Sequence, residues 1–138
     1  MFQSQNNTCI IIDPGLNEDL IEEHILQLSK VPIGIIATHG HFDHIGSVAF
    51  FKEKYAIPFY MHEKDFKISQ SANFFLKIAK INYKIITPKP DVLLKGSKNE
   101  IKIENYMLKA YNYPGHSEGG ILIEYENNLF TGDLFYRK

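Results

Sequence analysis

The stretch "ATHGHFDHIGS", Ala37–Ser47, packs three histidines and one aspartate into the six residues from His39 to His44. The apolar run that leads into it, Ile33–Thr38, has the composition of a buried strand. The histidines therefore lie where a predicted strand ends and a helix begins. In layered α/β folds, ligands bind beyond the carboxyl ends of the strands, so the stretch predicts a functional site there.

Apolar runs and helical patterns alternate through the first half of the chain. A strand at Cys9–Ile12 ends in the turn Asp13–Gly15, and a helix follows that Asn17 caps and Pro32 ends. The residues predicted to face the core from this helix are Ile21, Ile25 and Leu28. The next predicted elements are a helix from Asp43 to Tyr55, a strand at Ile57–Met61 and a helix at Glu63–Lys80, broken near Ser69–Ser71. This order indicates α/β layers with parallel strands.

The second half changes character. Lys84–Lys98 is predicted to be a loop because it contains Pro88, Pro90 and Gly96. The short strands predicted after it are Ile101–Ile103, Met107–Tyr111, Ile121–Tyr125 and Leu129–Thr131. Asparagine tolerates positive φ, so Asn127–Asn128 is predicted to form a two-residue hairpin turn.

Length and composition limit the class of protein. The 138 residues suit one domain, and 44% apolar residues suffice for a buried core. The net charge of −1 gives no support to nucleic-acid binding. No signal peptide and no run of about 20 apolar residues is seen, so we expect a soluble cytoplasmic protein without a membrane partner. Cys9, the single cysteine, is expected to be a small buried core residue.

The histidine cluster has the chemistry of a transition-metal site. Two residues apart, His39 and His41 can point the same way from a strand end or tight loop, and Gly40 leaves space between them. Asp43 and His44 follow where the chain turns into a helix, so they are better placed for a second ion nearby. A lone loop histidine is usually solvated, but three in six residues after a buried strand is hard to produce by chance.

Later loops supply further candidate ligands. His116 in "YPGHSEGG" is a third histidine for the first ion, and Asp133 in "LFTGDLF" is a carboxylate that could bridge two ions. His24 is expected to be solvated, and His62 to have a structural role, although it follows a strand end. Asp13 either orients a ligand histidine or caps its own turn, and the sequence leaves both open.

With these motifs the sequence resembles the metallo-β-lactamase-fold hydrolases, and within them the glyoxalase II branch of hydroxyacylglutathione hydrolases. The matching stretches are "IIDPG" at Ile11–Gly15, "THGHFDH" at Thr38–His44, "PGHSEGG" at Pro114–Gly120 and "LFTGDLF" at Leu129–Phe135. Their order and spacing both agree with the family. The resemblance implies an αββα sandwich, with the first half and the start of the second half present in residues 1–138. It also implies a single domain that is incomplete at its C-terminal end.

The resemblance assigns the candidate ligands to two metal ions. His39, His41 and His116 would hold the first, Asp43 and His44 the second, and Asp133 both. In the family a further histidine downstream completes the second set, and we expect it to lie beyond Lys138. Two zinc ions are expected, although the same ligands suit iron or manganese.

The implied activity is hydrolysis of a small-molecule thioester of the hydroxyacylglutathione type by a metal-activated hydroxide. Asp43 and Asp133 would be catalytic, because their charge would hold the metals and orient the hydroxide. One alternative is an iron-dependent oxidoreductase similar to persulfide dioxygenases, and another is a truncated metal-binding domain without activity. A nuclease of the same fold finds little support in the charge balance. Self-association is expected through the sheet face that an incomplete sandwich would expose.

Overall fold

Two β-sheets packed face to face form the framework of the protein. The computed structural model describes residues 2–3, 7–82 and 84–134. Its strands are β1 Phe2–Gln3, β2 Thr8–Ile12, β3 Val31–Ile36, β4 Phe59–His62, β5 Val92–Leu94, β6 Lys98–Ile103, β7 Tyr106–Asn112, β8 Ile121–Tyr125 and β9 Asn128–Phe130. Its helices are α1 Glu18–Gln27, α2 Phe42–Ile45, α3 Val48–Tyr55, α4 Glu63–Gln70 and α5 Ala72–Ile78. None of these helices is long and apolar enough to cross a membrane, within the ranges described.

The first sheet contains β1 to β5 in that order. Strands β2, β3, β4 and β5 are parallel, as the alternation of strands and helices predicted, and β1 pairs antiparallel with β2. Parallel pairing brings the carboxyl ends of β2, β3 and β4 to one edge of the sheet. That edge therefore receives Asp13, the histidine stretch and His62.

The second sheet is an antiparallel meander of β6, β7, β8 and β9. Ile103 pairs with Tyr106, and Tyr125 pairs with Asn128, so both hairpin turns have two residues. The second turn is formed by Glu126 and Asn127, one residue earlier than the predicted Asn127–Asn128 turn. Asn128 belongs to β9, and the left-handed conformation is taken by Glu126, with φ 52°.

Two apolar cores lie on opposite faces of the first sheet. Side chains alternate along a strand, so Cys9 and Ile11 face the helices while Ile10 faces the second sheet. On the helix side, Phe51 and Ile25 are fully buried. The core between the sheets is filled from the second sheet by Ile101, Ile103, Tyr106, Leu108, Ala110, Ile121 and Ile123. This arrangement is the helix–sheet–sheet part of the predicted sandwich.

Several predicted boundaries were wrong. α1 has the predicted Asn17 cap, which accepts the Leu20 N–H at 3.2 Å, but it ends at Gln27, and Pro32 lies inside β3. The helix predicted from Asp43 to Tyr55 is divided into α2 and α3, because the Ser47 backbone N–H donates to the Pro14 carbonyl at 3.2 Å and not to a carbonyl of the preceding helical turn. The predicted loop Lys84–Lys98 contains β5, which pairs with β4. The predicted break near Ser69–Ser71 is confirmed between α4 and α5.

The outer face of the second sheet carries no helix within the described residues. Its exposed side chains include Glu100, Lys102 and Lys109, and its exposed large apolar residues include Met107 and Leu129. Charges therefore interrupt the apolar patch that was expected there. Self-association through this face stays a prediction.

Cys9 provides a chemical test of the helix-side core. The thiol is fully buried, and burial raises its pKa to about 11. We expect a thiol reagent to leave the folded chain unlabelled at about pH 8 and to label it fully in denaturant. An unfolded thiol has a pKa of about 8.5, so the unfolded chain loses its proton first. The contribution of the neutral thiol to the free energy of unfolding is therefore present below about pH 8.5, and it is lost as the pH rises towards 11. Rapid labelling of the folded chain would place Cys9 outside the core.

Candidate metal centre

The predicted site residues meet at one edge of the sandwich. Asp13 follows β2, the stretch from Thr38 to His44 follows β3, His116 lies between β7 and β8, and Asp133 follows β9. The Ile121 N–H donates to the Thr38 carbonyl at 2.8 Å, which joins the start of β8 to the end of β3. This hydrogen bond therefore holds the two sheets together directly beside the site.

His39, His41 and His116 form the first ligand set. Together they offer three ligand atoms that all lie within 4.8 Å of one another. The Nε2 atom of His116 lies 2.9 Å from Nδ1 of His41. The ring of His39 lies 4.8 Å from that of His41 and 5.0 Å from that of His116, measured between centroids. The structure therefore brings together the three histidines that the sequence assigned to the first ion.

The hydrogen bonds of His39 define its tautomer. The Thr38 hydroxyl donates its single hydrogen to Asp13 at 2.6 Å, and the same oxygen lies 3.0 Å from Nδ1 of His39. Nδ1 must therefore carry the proton and donate to Thr38, which leaves a lone pair on Nε2. This Nε2 atom is buried without a hydrogen-bond partner in the described part of the chain. A buried, unsatisfied nitrogen with a free lone pair is costly unless something binds it.

Asp43, His44 and Asp133 form the second ligand set, which the structure also brings together. Nε2 of His44 lies 3.1 Å from Oδ2 of Asp133 and 3.7 Å from Oδ2 of Asp43. The same Asp133 oxygen lies 3.7 Å from Nε2 of His39 and 3.7 Å from Nε2 of His116. Asp133 thus stands between the two sets, where a bridging carboxylate would have to be.

The contacts of Asp13 fit the first of the two roles that the sequence left open, since its carboxylate is directed at Thr38 and His44. Its backbone is in the left-handed region with φ 52°, which forms the bend after β2. Its carboxylate accepts the Thr38 N–H at 2.7 Å and lies 3.1 Å from Nδ1 of His44. Asp13 therefore orients His44 directly, and it orients His39 through the Thr38 hydroxyl.

Two of the three histidines of the stretch have pKa values shifted in opposite directions. Burial of the ring, together with the nearby His44, lowers the pKa of His39 to about 4. Burial also works against the charged form of His44, but the hydrogen bond to Asp13 and the surrounding carboxylates raise the pKa of His44 to about 9. In the absence of a metal ion, the His39 ring is therefore neutral at neutral pH, and the His44 ring is an imidazolium that donates to both Asp13 and Asp133.

The two remaining candidate histidines have the roles that the sequence favoured. His62 is fully buried, and its Nε2–H donates to the Gly96 carbonyl at 2.9 Å. Its Nδ1 accepts the Lys64 N–H at 3.3 Å, so the ring caps α4. His24 is exposed on α1.

Sequence reasoning missed Thr38 and Asp65. Thr38 connects Asp13 to His39, because its hydroxyl donates to Asp13 and accepts from His39. Asp65 is a buried carboxylate that accepts hydrogen bonds from both histidine loops. A positional signal was available for Asp65, because it lies in the first turn after β4, at the same sheet edge as the histidines. Gly132 is required here: its φ is +54°, and a Cβ would lie 2.4 Å from the Thr38 hydroxyl oxygen.

The residues present fit a pair of divalent metal ions. The unpartnered His39 nitrogen, the convergence of three imidazoles and the shared Asp133 carboxylate make a nitrogen and oxygen donor set of the kind that zinc, iron and manganese accept. At the second set a metal would replace the Nε2 proton of His44, since that nitrogen and Asp133 are already neighbours.

Two packed sheets with candidate histidine and aspartate ligands at one edge are typical of sandwich-fold proteins that bind divalent metals. Within that class, the chain belongs to the metallo-beta-lactamase superfamily, whose family model matches residues 1–138. Members of this superfamily are generally hydrolases that act with metal ions. The predicted fold class is thus confirmed.

Curated relatives include metallo-hydrolases of bacteria. The chain is 32% identical over 141 residues to the probable metallo-hydrolase YqgX of Bacillus subtilis, which covers 99% of this chain and 65% of that protein. It is 27% identical over 135 residues to the hydroxyacylglutathione hydrolase GloC of Haemophilus influenzae, covering 92% of this chain and 61% of that protein. The chain thus spans less than two thirds of the length of these relatives.

Solved structures share the fold. The BLEG-1 B3 metallo-beta-lactamase superposes with a TM-score of 0.82 at 28% identity, covering 99% of this chain and 66% of that one. TTHA1623 in a di-iron-bound form superposes with a TM-score of 0.72 at 26% identity, covering 91% and 62%.

Proposed function

We propose that this chain carries the metal centre of a hydrolase that cleaves a thioester of the hydroxyacylglutathione type. The observation that carries the proposal is the buried lone pair of His39 Nε2, which faces the carboxylate shared by two ligand sets. When bound there, a pair of divalent ions polarises a carbonyl and lowers the pKa of a water molecule towards neutrality.

The chain's own residues would prepare the site for that chemistry. His39, His41 and His116 would hold the first ion, and Asp43 and His44 the second, with Asp133 shared between them. Asp133 is 30% exposed and Asp43 is 52% exposed, so both carboxylates are open to water and substrate. We propose these two as the catalytic carboxylates, which hold the metals and orient the attacking water.

A small hollow lies beside the first ligand set, with a cavity volume of about 10 Å³, which is room for about one water molecule. Tyr113, Leu122 and Leu134 contribute to its walls, and His39, His116 and Asp133 lie at its polar end. The thioester assignment itself rests on the glyoxalase II motifs and on the similarity to GloC.

The activity can be tested on the purified chain loaded separately with zinc, iron or manganese. We expect release of free thiol from a hydroxyacylglutathione, and no release by the metal-free chain. A chromogenic β-lactam serves as the comparison substrate, because BLEG-1 is a metallo-beta-lactamase. Turnover of the β-lactam but not of the thioester would overturn the substrate assignment.

Two alternative functions remain predictions, and each would give a different experimental result. A persulfide dioxygenase would consume oxygen when the iron-loaded chain meets glutathione persulfide. A chain that binds metal but turns over none of these substrates would be a metal-binding domain without activity.

A further inference from the structure

Asp65, in the first turn of α4, is a fully buried carboxylate that receives three hydrogen bonds. Its Oδ2 accepts the Gly40 N–H at 2.8 Å and the Ser117 hydroxyl at 2.8 Å. Its Oδ1 accepts the Gly119 N–H at 2.6 Å. Both oxygens are therefore committed to donors.

All three donors belong to the segments that carry the first ligand set. Gly40 lies between His39 and His41, and Ser117 follows His116 directly. These segments are 75 residues apart in sequence, measured from His41 to His116. A single carboxylate thus fixes how close the two histidine loops lie.

Backbone contact reinforces this link. A Cβ at Gly40 would lie 2.7 Å from the Asp65 carbonyl oxygen, and one at Gly119 would lie 2.5 Å from the Asp65 nitrogen. Real Cβ atoms do not approach backbone so closely, so both loops rest on the start of α4 only because these residues are glycines. This close contact explains why glycine is the middle residue of "HGH" and the first residue after glutamate in "EGG".

We infer that Asp65 is a positioning residue that sets the spacing between the His39–His41 pair and His116. Burying a carboxylate is costly unless hydrogen bonds satisfy it, and here every satisfying donor comes from the two loops. The carboxylate is therefore accommodated only when both loops are in place, which prearranges the ligands before any ion binds. The inference rests on the proposed metal centre and adds to it a residue that touches no candidate ligand atom.

The test is Asp65→Asn, which keeps the size of the side chain. An amide has one acceptor oxygen, so its NH2 group must face at least one of the N–H or O–H donors. We expect the apparent dissociation constant for zinc, measured by competition with a chelating dye, to rise about 10- to 100-fold. The visible spectrum of the cobalt-loaded chain should also change, because the ligand geometry is altered.

The matched control is Asp91→Asn. Asp91 also accepts a backbone N–H, from Phe59 at 2.7 Å, and pairs with Lys52, but it lies outside the ligand sets. This variant should bind zinc as the wild type does, even where its melting temperature falls.

Ser117→Ala keeps the test decisive where Asp65→Asn folds poorly. Alone it removes one donor and should weaken zinc binding severalfold; in the Asp65→Asn background it should add little, because both changes break the same bond. Wild-type zinc affinity and cobalt spectra in folded Asp65→Asn, or in Ser117→Ala, would overturn the inference. A wild-type chain that binds no metal would instead overturn the proposed function.

Discussion

Replacing His116 with alanine is expected to lower the affinity of the chain for zinc by more than about 100-fold, beyond the loss typical of outer-shell changes. His116 is one of three imidazoles in the first ligand set, and its Nε2 also lies 3.7 Å from Asp133. Its removal leaves two histidines for that ion and takes a neighbour from the shared carboxylate. The measurement is zinc affinity by dye competition, supported by the zinc-dependent rise in melting temperature.

His24→Ala is the control for this experiment. His24 is exposed on α1, so the change removes an imidazole without touching either ligand set. Equal zinc affinity in the wild type and in His116→Ala would show that the first set is not a metal site. A loss in both variants would indicate that zinc binds surface histidines instead.

Phe51→Ala is expected to lower the free energy of unfolding by about 3–5 kcal/mol, a large share of the roughly 5–15 kcal/mol that stabilises a typical domain. The Phe51 ring is fully buried in the helix-side core. It packs against Phe50 and Tyr55, with ring centroids 5.0 and 6.2 Å away. Denaturation in urea, followed by circular dichroism, measures the change.

Phe74→Ala provides the matched comparison, because it deletes the same ring from a side chain that is 62% exposed. We expect it to change stability by no more than about 0.5 kcal/mol. Similar costs at the two positions would mean that α3 does not pack on the first sheet as described.

The sequence predicted those features that local signals determine. β2 and β3 are short apolar runs ended by turn or polar residues, and Asn17 is a strong helix cap. His39, His41, Asp43 and His44 were predicted because they follow β3, and parallel strands bring their carboxyl ends to one edge of the sheet. His116 and Asp133 were predicted because their loops follow strands of the second sheet. The tautomer of His39 was not predictable, because it depends on a hydroxyl whose hydrogen is already given to Asp13.

Features that depend on distant contacts were missed. β5 is only three residues long and exists because it pairs with β4, about 30 residues earlier. The break between α2 and α3 comes from contacts of Ser47 with Pro14 and Gly15, outside any helical pattern. In sequence, Asp65 looks like an ordinary acidic residue of a first helical turn, and its burial follows from the docking of both histidine loops on the start of α4.

The candidate site is assembled from contacts that are far apart in sequence, and this has a kinetic consequence. The pairs involved are separated by 54 residues for Asp65 and Gly119, 75 for His41 and His116, and 89 for His44 and Asp133. Closing such long loops is entropically costly, and we expect these contacts to form late during folding. An ion held at the candidate site would need all of these contacts, so we expect it to bind only after the folding barrier has been crossed. Such an ion would slow unfolding and leave the refolding rate nearly unchanged.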